Sequence, residues 1–225
     1  MDLGSQAAGI GALADDTRRA LYEYVVAQPE PVGREQAAAA LGIAQHNVNF
    51  HLDRLVSEGL LGVEYRRLSG KSGPGAGRPS KLYRRGTREF VVSLPPRRYD
   101  LVGDILAAAV TRAAEGVPLP QALHEVARDE GRAVGGAADG VPTGDPLAAV
   151  AQVLGSQGYE PHLEAGVVVL NNCPFDSLAR KHTTLVCGLN RDFVQGVAEG
   201  LGCGTVSACL DPEPDRCCVK ARIED

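Results

Sequence analysis

The chain has 225 residues, of which 44% are hydrophobic and 4% aromatic, and it carries a net charge of −5. This composition is typical of a globular protein with an interior of Ala, Val and Leu, and it excludes a disordered chain. No apolar run approaches the roughly 20 residues of a membrane helix, and the first residues lack the features of a signal peptide. We therefore expect a cytoplasmic protein without membrane spans.

The net charge conceals an asymmetry between the two halves of the chain. Residues 1–98 carry a net charge of +4, whereas residues 99–225 carry −9. Residues 61–88 contain eight lysines and arginines against one glutamate. A basic stretch in an acidic protein is expected where a surface contacts phosphate groups. The first half is therefore the candidate for nucleic-acid binding.

Three helices are predicted around the start of this half. Apolar residues recur at helical spacing over residues 13–28, and an alanine-rich helix follows at 34–41. Gly42 supplies the turn into a third helix at 44–58, which places Val48, Leu52 and Leu55 on one face. The other face of the third helix carries side chains suited to base edges and phosphates in a major groove: Gln45, His46, Asn47, Asn49, His51 and Arg54.

Two strands are predicted next, at 60–68 and 81–85, with a basic loop rich in Gly and Pro at 69–80. Three helices followed by strand, loop and strand predict a winged helix-turn-helix. Residues 41–55 resemble the recognition segment of bacterial winged-helix regulators of the arsenical-resistance-repressor type. The run GRPSKLY at 77–83 resembles the wing signature of the Suf-type repressors of iron–sulphur assembly. This resemblance implies a homodimer on an inverted-repeat operator in double-stranded DNA, with wing contacts from Lys71, Arg78 and Lys81.

Consecutive prolines at Pro95 and Pro96 favour extended backbone and indicate a domain boundary. We expect a winged helix-turn-helix domain at 1–94, a linker at 95–98 and a dimerisation and sensing domain at 99–225. The apolar stripe of a helix at 99–115 suits either a dimer interface or the core of its own domain. The fold class expected is α+β, mainly α with a small antiparallel sheet. Further helices are predicted at 120–133, 145–157, 175–185 and 190–200, a Gly-rich loop at 135–144, and strands at 166–170, 205–210 and 217–223.

All six cysteines lie in the last third of the chain. In a cytoplasmic protein, clustered thiols bind metal or react more often than they form disulfides. Cys173, Cys187 and Cys217 lack the close pairing of structural zinc ligands, whereas an iron–sulphur cluster can collect thiolates from separate elements. The same region resembles the C-terminal sensor of the Suf-type repressors, in which three cysteines hold an iron–sulphur cluster.

The resemblance assigns Cys173, Cys187 and one of the pair Cys217 and Cys218 as ligands, and it favours a four-iron over a two-iron cluster. Because adjacent residues on a strand point to opposite faces, one thiol of the pair is expected to reach the cluster. We prefer Cys217, which directly follows a turn. The candidates for a fourth ligand are His182 and, more weakly, Asn171, Asn172 and Asp215, while Cys203 and Cys209 are interpreted as small apolar residues.

The sequence therefore predicts a transcription regulator, by resemblance a repressor, whose operator affinity responds to redox state, nitric oxide or iron through a cluster. An alternative keeps DNA binding but replaces the cluster with zinc or with a thiol–disulfide switch. No P-loop, dinucleotide-binding, metalloprotease or nucleophile-elbow motif occurs, so we expect no enzyme and assign no catalytic residue.

Overall fold

The computed structural model describes residues 3–67, 79–141 and 144–224. The chain divides into two units, one ending at Val92 and one beginning at Ser93, and each has its own hydrophobic core. Residues 95–98, the predicted linker, fall within the second unit. Of the described residues, 54% are helical and 15% lie in strands, so the α+β prediction is confirmed. Within the described ranges, no helix is both long and apolar enough to cross a bilayer.

The first unit combines helices with a small antiparallel sheet of order β1-β3-β2. Asp15 caps the second helix by accepting a hydrogen bond from the Arg18 amide at 2.8 Å. Gly42, at φ +65°, ends the third helix in the left-handed conformation that glycine adopts without strain. The described elements are α1 (Leu3–Ala12), α2 (Asp16–Ala27), β1 (Val32–Gly33), α3 (Arg34–Leu41), α4 (Gln45–Ser57), β2 (Leu61–Arg66) and β3 (Ser80–Arg85).

The core of the first unit lies between α2, α4 and the sheet. The predicted stripe of α4 is confirmed, because Val48, Leu52 and Leu55 are fully buried. Helix α1 was not predicted, since its Gly- and Ala-rich sequence has little apolar periodicity. It is held by close packing, because a Cβ atom added at Gly9 would lie 2.0 Å from the ring of Phe90.

The second unit packs its helices on an antiparallel sheet of order β4-β5-β7-β6. Helix α9 contacts β6 and β7, and α7 contacts β4 and β5. The described elements are α5 (Tyr99–Ala114), α6 (Leu119–Gly136), α7 (Pro146–Ser156), β4 (Pro161–Glu164), β5 (Val167–Leu170), α8 (Asp176–Lys181), α9 (Thr183–Gly200), β6 (Val206–Leu210) and β7 (Val219–Ile223).

The apolar stripe of α5 divides between the core and the surface. Leu101, Ile105 and Ala109 are buried in the core of the second unit, so part of the stripe serves its own domain. Val110 is 58% exposed, and Ala107 is exposed as well. Dimerisation through this helix stays a prediction.

Two predictions about the helices of the second unit were wrong. The break expected after residue 185 lies at His182 instead, so α9 runs unbroken from Thr183 to Gly200 and includes Cys187. The loop expected from residue 135 begins later, because Gly135 and Gly136 belong to α6. The predicted loop at 135–144 treated its glycines as helix breakers.

Glycines bring the backbones of α6 and α9 into direct contact. A Cβ atom at Gly131 would lie 2.1 Å from the Phe193 carbonyl oxygen, and one at Gly196 would lie 2.1 Å from the Arg128 carbonyl oxygen. Beside them, Glu199 accepts hydrogen bonds from Arg128 and Arg132, and these guanidinium groups lower the pKa of Glu199 to about 2. Tertiary packing thus outweighs the helix-propensity cost of glycine, about 1 kcal/mol per residue.

Candidate nucleic-acid interface and thiol site

Helix α4 presents a polar face to solvent, opposite its buried stripe. Gln45, His46, Asn47 and Arg54 are exposed on this face, as the sequence predicts. The aromatic ring of Phe50 lies among them and is 66% exposed. Phe50 was missed because aromatic residues in amphipathic helices are usually core residues, yet its position is directly opposite the buried stripe.

Asn49 and His51 were expected on the same exposed face, but both are half-buried. His51 Nδ1 lies 4.0 Å from the Asp15 carboxylate, and the buried Asn49 Oδ1 has no hydrogen-bond partner among the residues that the structure describes. Both residues flank the buried stripe on the helical projection, which explains their burial. A DNA contact from either would require its side chain to turn outward.

The cations predicted to contact DNA differ in their surroundings. Lys81 Nζ lies 2.5 Å from the Asp53 carboxylate, a contact that raises the pKa of Lys81 and offsets its charge. Arg54 pairs with Glu58 at 2.6 Å. Lys71 and Arg78 lie outside the described residues. On β2 and β3 and next to them, the exposed cations include Arg67, Arg84 and Arg85.

Four thiols from three separate segments gather in the second unit. Cys173 follows β5, Cys187 lies in α9, and Cys217 and Cys218 precede β7. The thiol of Cys173 interacts with that of Cys217, and the thiol of Cys187 interacts with that of Cys218. Cys173 also interacts electrostatically with Cys187, which links the two pairs.

Cys217 and Cys218 each interact with another thiol, Cys217 with Cys173 and Cys218 with Cys187, and the choice of Cys217 as the ligand stays a prediction. The expectation that one thiol of the doublet reaches the cluster assumed a strand beginning at residue 217, but β7 begins at Val219. Because the doublet precedes the strand, the alternation of side chains between opposite faces does not apply to it. Cys217 is buried and Cys218 half-buried.

Within the first pair, ionisation is directed to Cys173. The hydrogen bond from Cys217 lowers the pKa of Cys173, with help from the Phe175 amide and the Arg97 charge, while burial opposes the shift. The same contact with Cys173, together with burial, raises the pKa of Cys217. Burial and the neighbouring Cys218 raise the pKa of Cys187 to about 12. Of this pair, Cys173 is thus the thiol more readily converted to the thiolate form that binds metals.

Cys217 also accepts a hydrogen bond from a buried amide. Asn190 Nδ2 donates to Cys217 Sγ at 3.2 Å, and Asn190 Oδ1 lies 2.5 Å from the Tyr159 hydroxyl, which donates to it. The Tyr159 hydroxyl thereby fixes which end of the amide faces the sulfur. Sequence reasoning missed both residues, although Asn190 follows Cys187 by one helical turn in α9 and so lies on the same face.

The remaining candidate ligands lie apart from these contacts. His182 is exposed at the junction of α8 and α9, Cys203 follows α9, and Cys209 lies in β6. Asn171 and Asp215 line a cavity of about 510 Å³ that opens beside Cys173. Asn172 is buried and uses its amide group in hydrogen bonds to backbone carbonyls.

The spacing of the thiols bears on what they could hold. In the described parts of the chain, no three His, Cys, Asp or Glu side chains converge closely enough for a single metal ion. A zinc ion requires about four ligands within about 2.3 Å of one point. A cluster spreads its ligand positions over several iron atoms, so two neighbouring thiol pairs suit a cluster better than they suit zinc.

Comparison with known proteins identifies the first unit. A helix-turn-helix domain family matches residues 13–64, from the start of the α2 region into β2. The chain therefore carries the helix-turn-helix domain of a DNA-binding transcription regulator. The match includes α4, the helix with the exposed polar face. No curated protein and no solved structure matches the chain significantly.

Proposed function

We propose that this protein is a homodimeric repressor of the Suf type, acting in the cytoplasm, whose affinity for an inverted-repeat operator depends on an iron–sulphur cluster. Cys173, Cys187 and Cys217 are the proposed ligands, with Cys218 as the alternative third or a fourth. The observation that carries this proposal is the gathering of four thiols from three separate segments in the unit that follows a helix-turn-helix domain.

The donor set supports a cluster of thiolates. Cys173 ionises more readily than Cys217, and the Asn190 amide offers a hydrogen bond that suits an ionised or iron-bound sulfur, which can only accept. When bound, an iron–sulphur cluster supplies reversible electron transfer and reactivity toward oxidants and nitric oxide. The residues around it hold the sulfur atoms, exclude water from Cys217 and leave Cys173 beside a solvent-filled cavity. A small oxidant would therefore approach at Cys173.

On the DNA side, the exposed face of α4 supports base contacts from His46, Asn47 and Phe50. The exposed cations Arg67, Arg84 and Arg85 are placed on or beside the two wing strands and would contact phosphate groups. Two copies of α4 in a dimer would read half-sites about one helical turn apart. The state of the thiols does not change the chemistry of these DNA-contacting side chains. The proposed signal therefore acts on how these side chains are arranged.

A second candidate function is a thiol–disulfide switch that controls the same DNA-binding unit. The interaction of Cys173 with Cys217 and of Cys187 with Cys218 favours it, because each interaction joins two thiols. Oxidation would convert each pair of thiols into one disulfide and release two protons and two electrons to an oxidant. A zinc site is the weaker alternative, for the geometric reason given above.

Purification without oxygen separates these functions. We expect visible absorbance, iron and acid-labile sulphide in the wild-type protein, and operator affinity that changes when the cluster is removed. Cys173→Ser, Cys187→Ser and Cys217→Ser should each abolish the colour, whereas Cys203→Ser and Cys209→Ser, matched thiol losses in the same unit, should keep it. The fate of the colour in Cys218→Ser decides whether this thiol is a ligand.

Two results would replace the cluster proposal. Colourless protein with stoichiometric zinc would establish the zinc site. Colourless protein in which mild oxidation joins Cys173 to Cys217 and Cys187 to Cys218, mapped by mass spectrometry, would establish the thiol switch.

A further inference from the structure

The first residues of the second unit are tied directly to the segment that carries Cys173. We define the connector as residues 96–98, which continue the chain from the helix-turn-helix unit, and the cysteine loop as residues 171–175, between β5 and α8. These two short segments face each other inside the second unit. Four hydrogen bonds join the connector to the cysteine loop, and a fifth holds the cysteine loop to a neighbouring backbone carbonyl.

Two of these bonds come from Arg97. Its Nη1 donates to Asn172 Oδ1 at 2.5 Å and to the Cys173 carbonyl oxygen at 3.2 Å. Both bonds leave the same nitrogen, whose two N–H groups are fixed in the guanidinium plane, whereas the N–H groups of an ammonium rotate. The side chain of Arg97 is only 18% exposed, so these bonds are largely shielded from water. Arg97 thus fixes the main chain of the ligand residue itself.

The return bonds come from the cysteine loop and from the next residue of the connector. Asn172 Nδ2 donates to the Pro96 carbonyl oxygen at 3.1 Å and to the Gly158 carbonyl oxygen at 2.6 Å. The Arg98 amide donates to the Pro174 carbonyl oxygen at 3.1 Å. Asn172 is buried, so replacing its amide would remove the side-chain donor to the Gly158 carbonyl oxygen and one of two side-chain donors to the Pro96 carbonyl oxygen. The two segments are therefore locked in register.

We propose that this strap, formed by Arg97 and Asn172 between the connector and the cysteine loop, transmits the state of the Cys173 thiol to the chain leading into the DNA-binding unit. The inference rests on the proposed function, because it takes the occupancy of the Cys173 sulfur as its input. When the Cys173 sulfur gains or loses a bound group, it shifts and moves the Cys173 peptide. The carbonyl oxygen of that peptide accepts a hydrogen bond from Arg97. The connector must then follow or break its hydrogen bonds. Arg97 and Asn172 are positioning residues in this scheme.

The test uses the full-length protein, loaded anaerobically with ferrous iron and sulphide, and an operator selected from random DNA by the wild type. Wild type, Arg97→Ala and Arg180→Ala are compared, each with and without the cluster. Arg180 is the matched control, since it lines the same cavity and pairs with Asp176 but makes no bond of the strap. The quantity compared is the ratio of operator Kd between the loaded and unloaded forms.

We expect Arg97→Ala to bind the cluster while its Kd ratio falls to within about twofold of one, which reports loss of the coupling free energy. Arg180→Ala should keep the wild-type ratio. Arg97→Lys, which retains the charge but replaces the planar guanidinium with a rotating ammonium group, should give a reduced Kd ratio. A full wild-type ratio in loaded Arg97→Ala would overturn the inference.

A second measurement is independent of the cluster. The Arg98 amide should exchange with deuterium faster in unloaded Arg97→Ala than in unloaded wild type, because its acceptor on the cysteine loop is no longer held. Equal exchange would overturn the strap whether or not the protein binds a cluster. A different result would be that the wild type takes up no cluster while the Arg98 amide still exchanges faster in Arg97→Ala. That result would refute the proposed function and leave the strap as a link to another state of Cys173.

Discussion

The Phe50 ring packs little within its own unit, because it is 66% exposed in the middle of α4 and meets only the His51 ring, edge to face, among the described aromatic residues. His46 and Arg54 lie one turn before and after it on the same face, so the ring stands at the centre of the surface predicted to enter the major groove. The apolar group on a major-groove edge is the 5-methyl group of thymine, and phenylalanine is among the side chains that contact it. We expect Phe50 to read a thymine in the operator.

Replacing Phe50 with alanine should weaken operator binding by about 1 kcal/mol, roughly fivefold in Kd, the value of burying a methyl group and part of a ring. The informative measurement is binding to an operator in which thymines are replaced one at a time by uracil, which lacks only the methyl group. One uracil should weaken the wild type and have no further effect on Phe50→Ala. Asn47→Ala is the control, and it should keep its sensitivity to uracil. Full sensitivity in Phe50→Ala would exclude this contact.

At this scale the sequence was informative where a residue's type narrowed the candidates for a site. Cys173 and Cys187 could be chosen because thiols are rare and chemically distinctive. Asn190 and Arg97 could not be chosen from the sequence, because nothing in the sequence distinguishes a buried asparagine or arginine from an exposed one. Only the fold shows which groups lie about 3 Å from their side chains. The choice between Cys217 and Cys218 rested on strand alternation, which depends on where β7 begins.

The contact between α6 and α9 is the element on which the second core depends. Gly131 and Gly135 of α6 and Gly196 and Gly200 of α9 each lie against backbone of the other helix. At such distances a Cβ atom meets main chain, which cannot rotate away as a long side chain can. The helices would have to separate, and the packing of Phe193 and Val197 beside them would loosen.

Gly196→Ala should therefore destabilise the protein by about 2 kcal/mol, because an overpacking cost of up to about 3 kcal/mol exceeds the gain of about 1 kcal/mol in helix propensity. Gly188→Ala is the matched control in the same helix, since a Cβ atom there has nothing within 4 Å. It should leave the free energy of unfolding unchanged or raise it by up to about 1 kcal/mol. Urea unfolding of the unloaded proteins measures both. Equal stability of the two variants would show that the helices can part without cost.

Elements could be predicted from the sequence when their apolar period was strong and their ends carried turn residues. The segments α3 and α4 meet both conditions, and their predicted bounds agree with the structure within one residue at each end. The C-terminal end of α6 fails the second condition, because Gly135 there lies against the backbone of α9 and does not reverse the chain. That distinction depends on a partner helix about 65 residues away in sequence and has no local signal.

The whole molecule is divided by its cores as well as by its charge. Leu52 belongs to a core built only from residues of the first unit, and Leu154 to a core built only from residues of the second. The positive charge lies in the half that carries the helix-turn-helix domain, and the negative charge in the half that carries the thiols. A ligand of either half should therefore stabilise its own unit first.

Calorimetry of the full-length chain should resolve two unfolding transitions, as expected for a protein with two cores. Leu52→Ala should lower one transition by at least about 8 °C and Leu154→Ala the other, because a Leu→Ala change in a core costs about 2–5 kcal/mol and each kilocalorie shifts a domain of this size by about 4 °C or more. Removing a group bound to the thiols should lower only the transition that Leu154→Ala lowers, whereas operator DNA should raise the other. If Leu52→Ala lowered both transitions equally, the two cores would be one cooperative unit, and a signal at Cys173 would need no strap to reach α4.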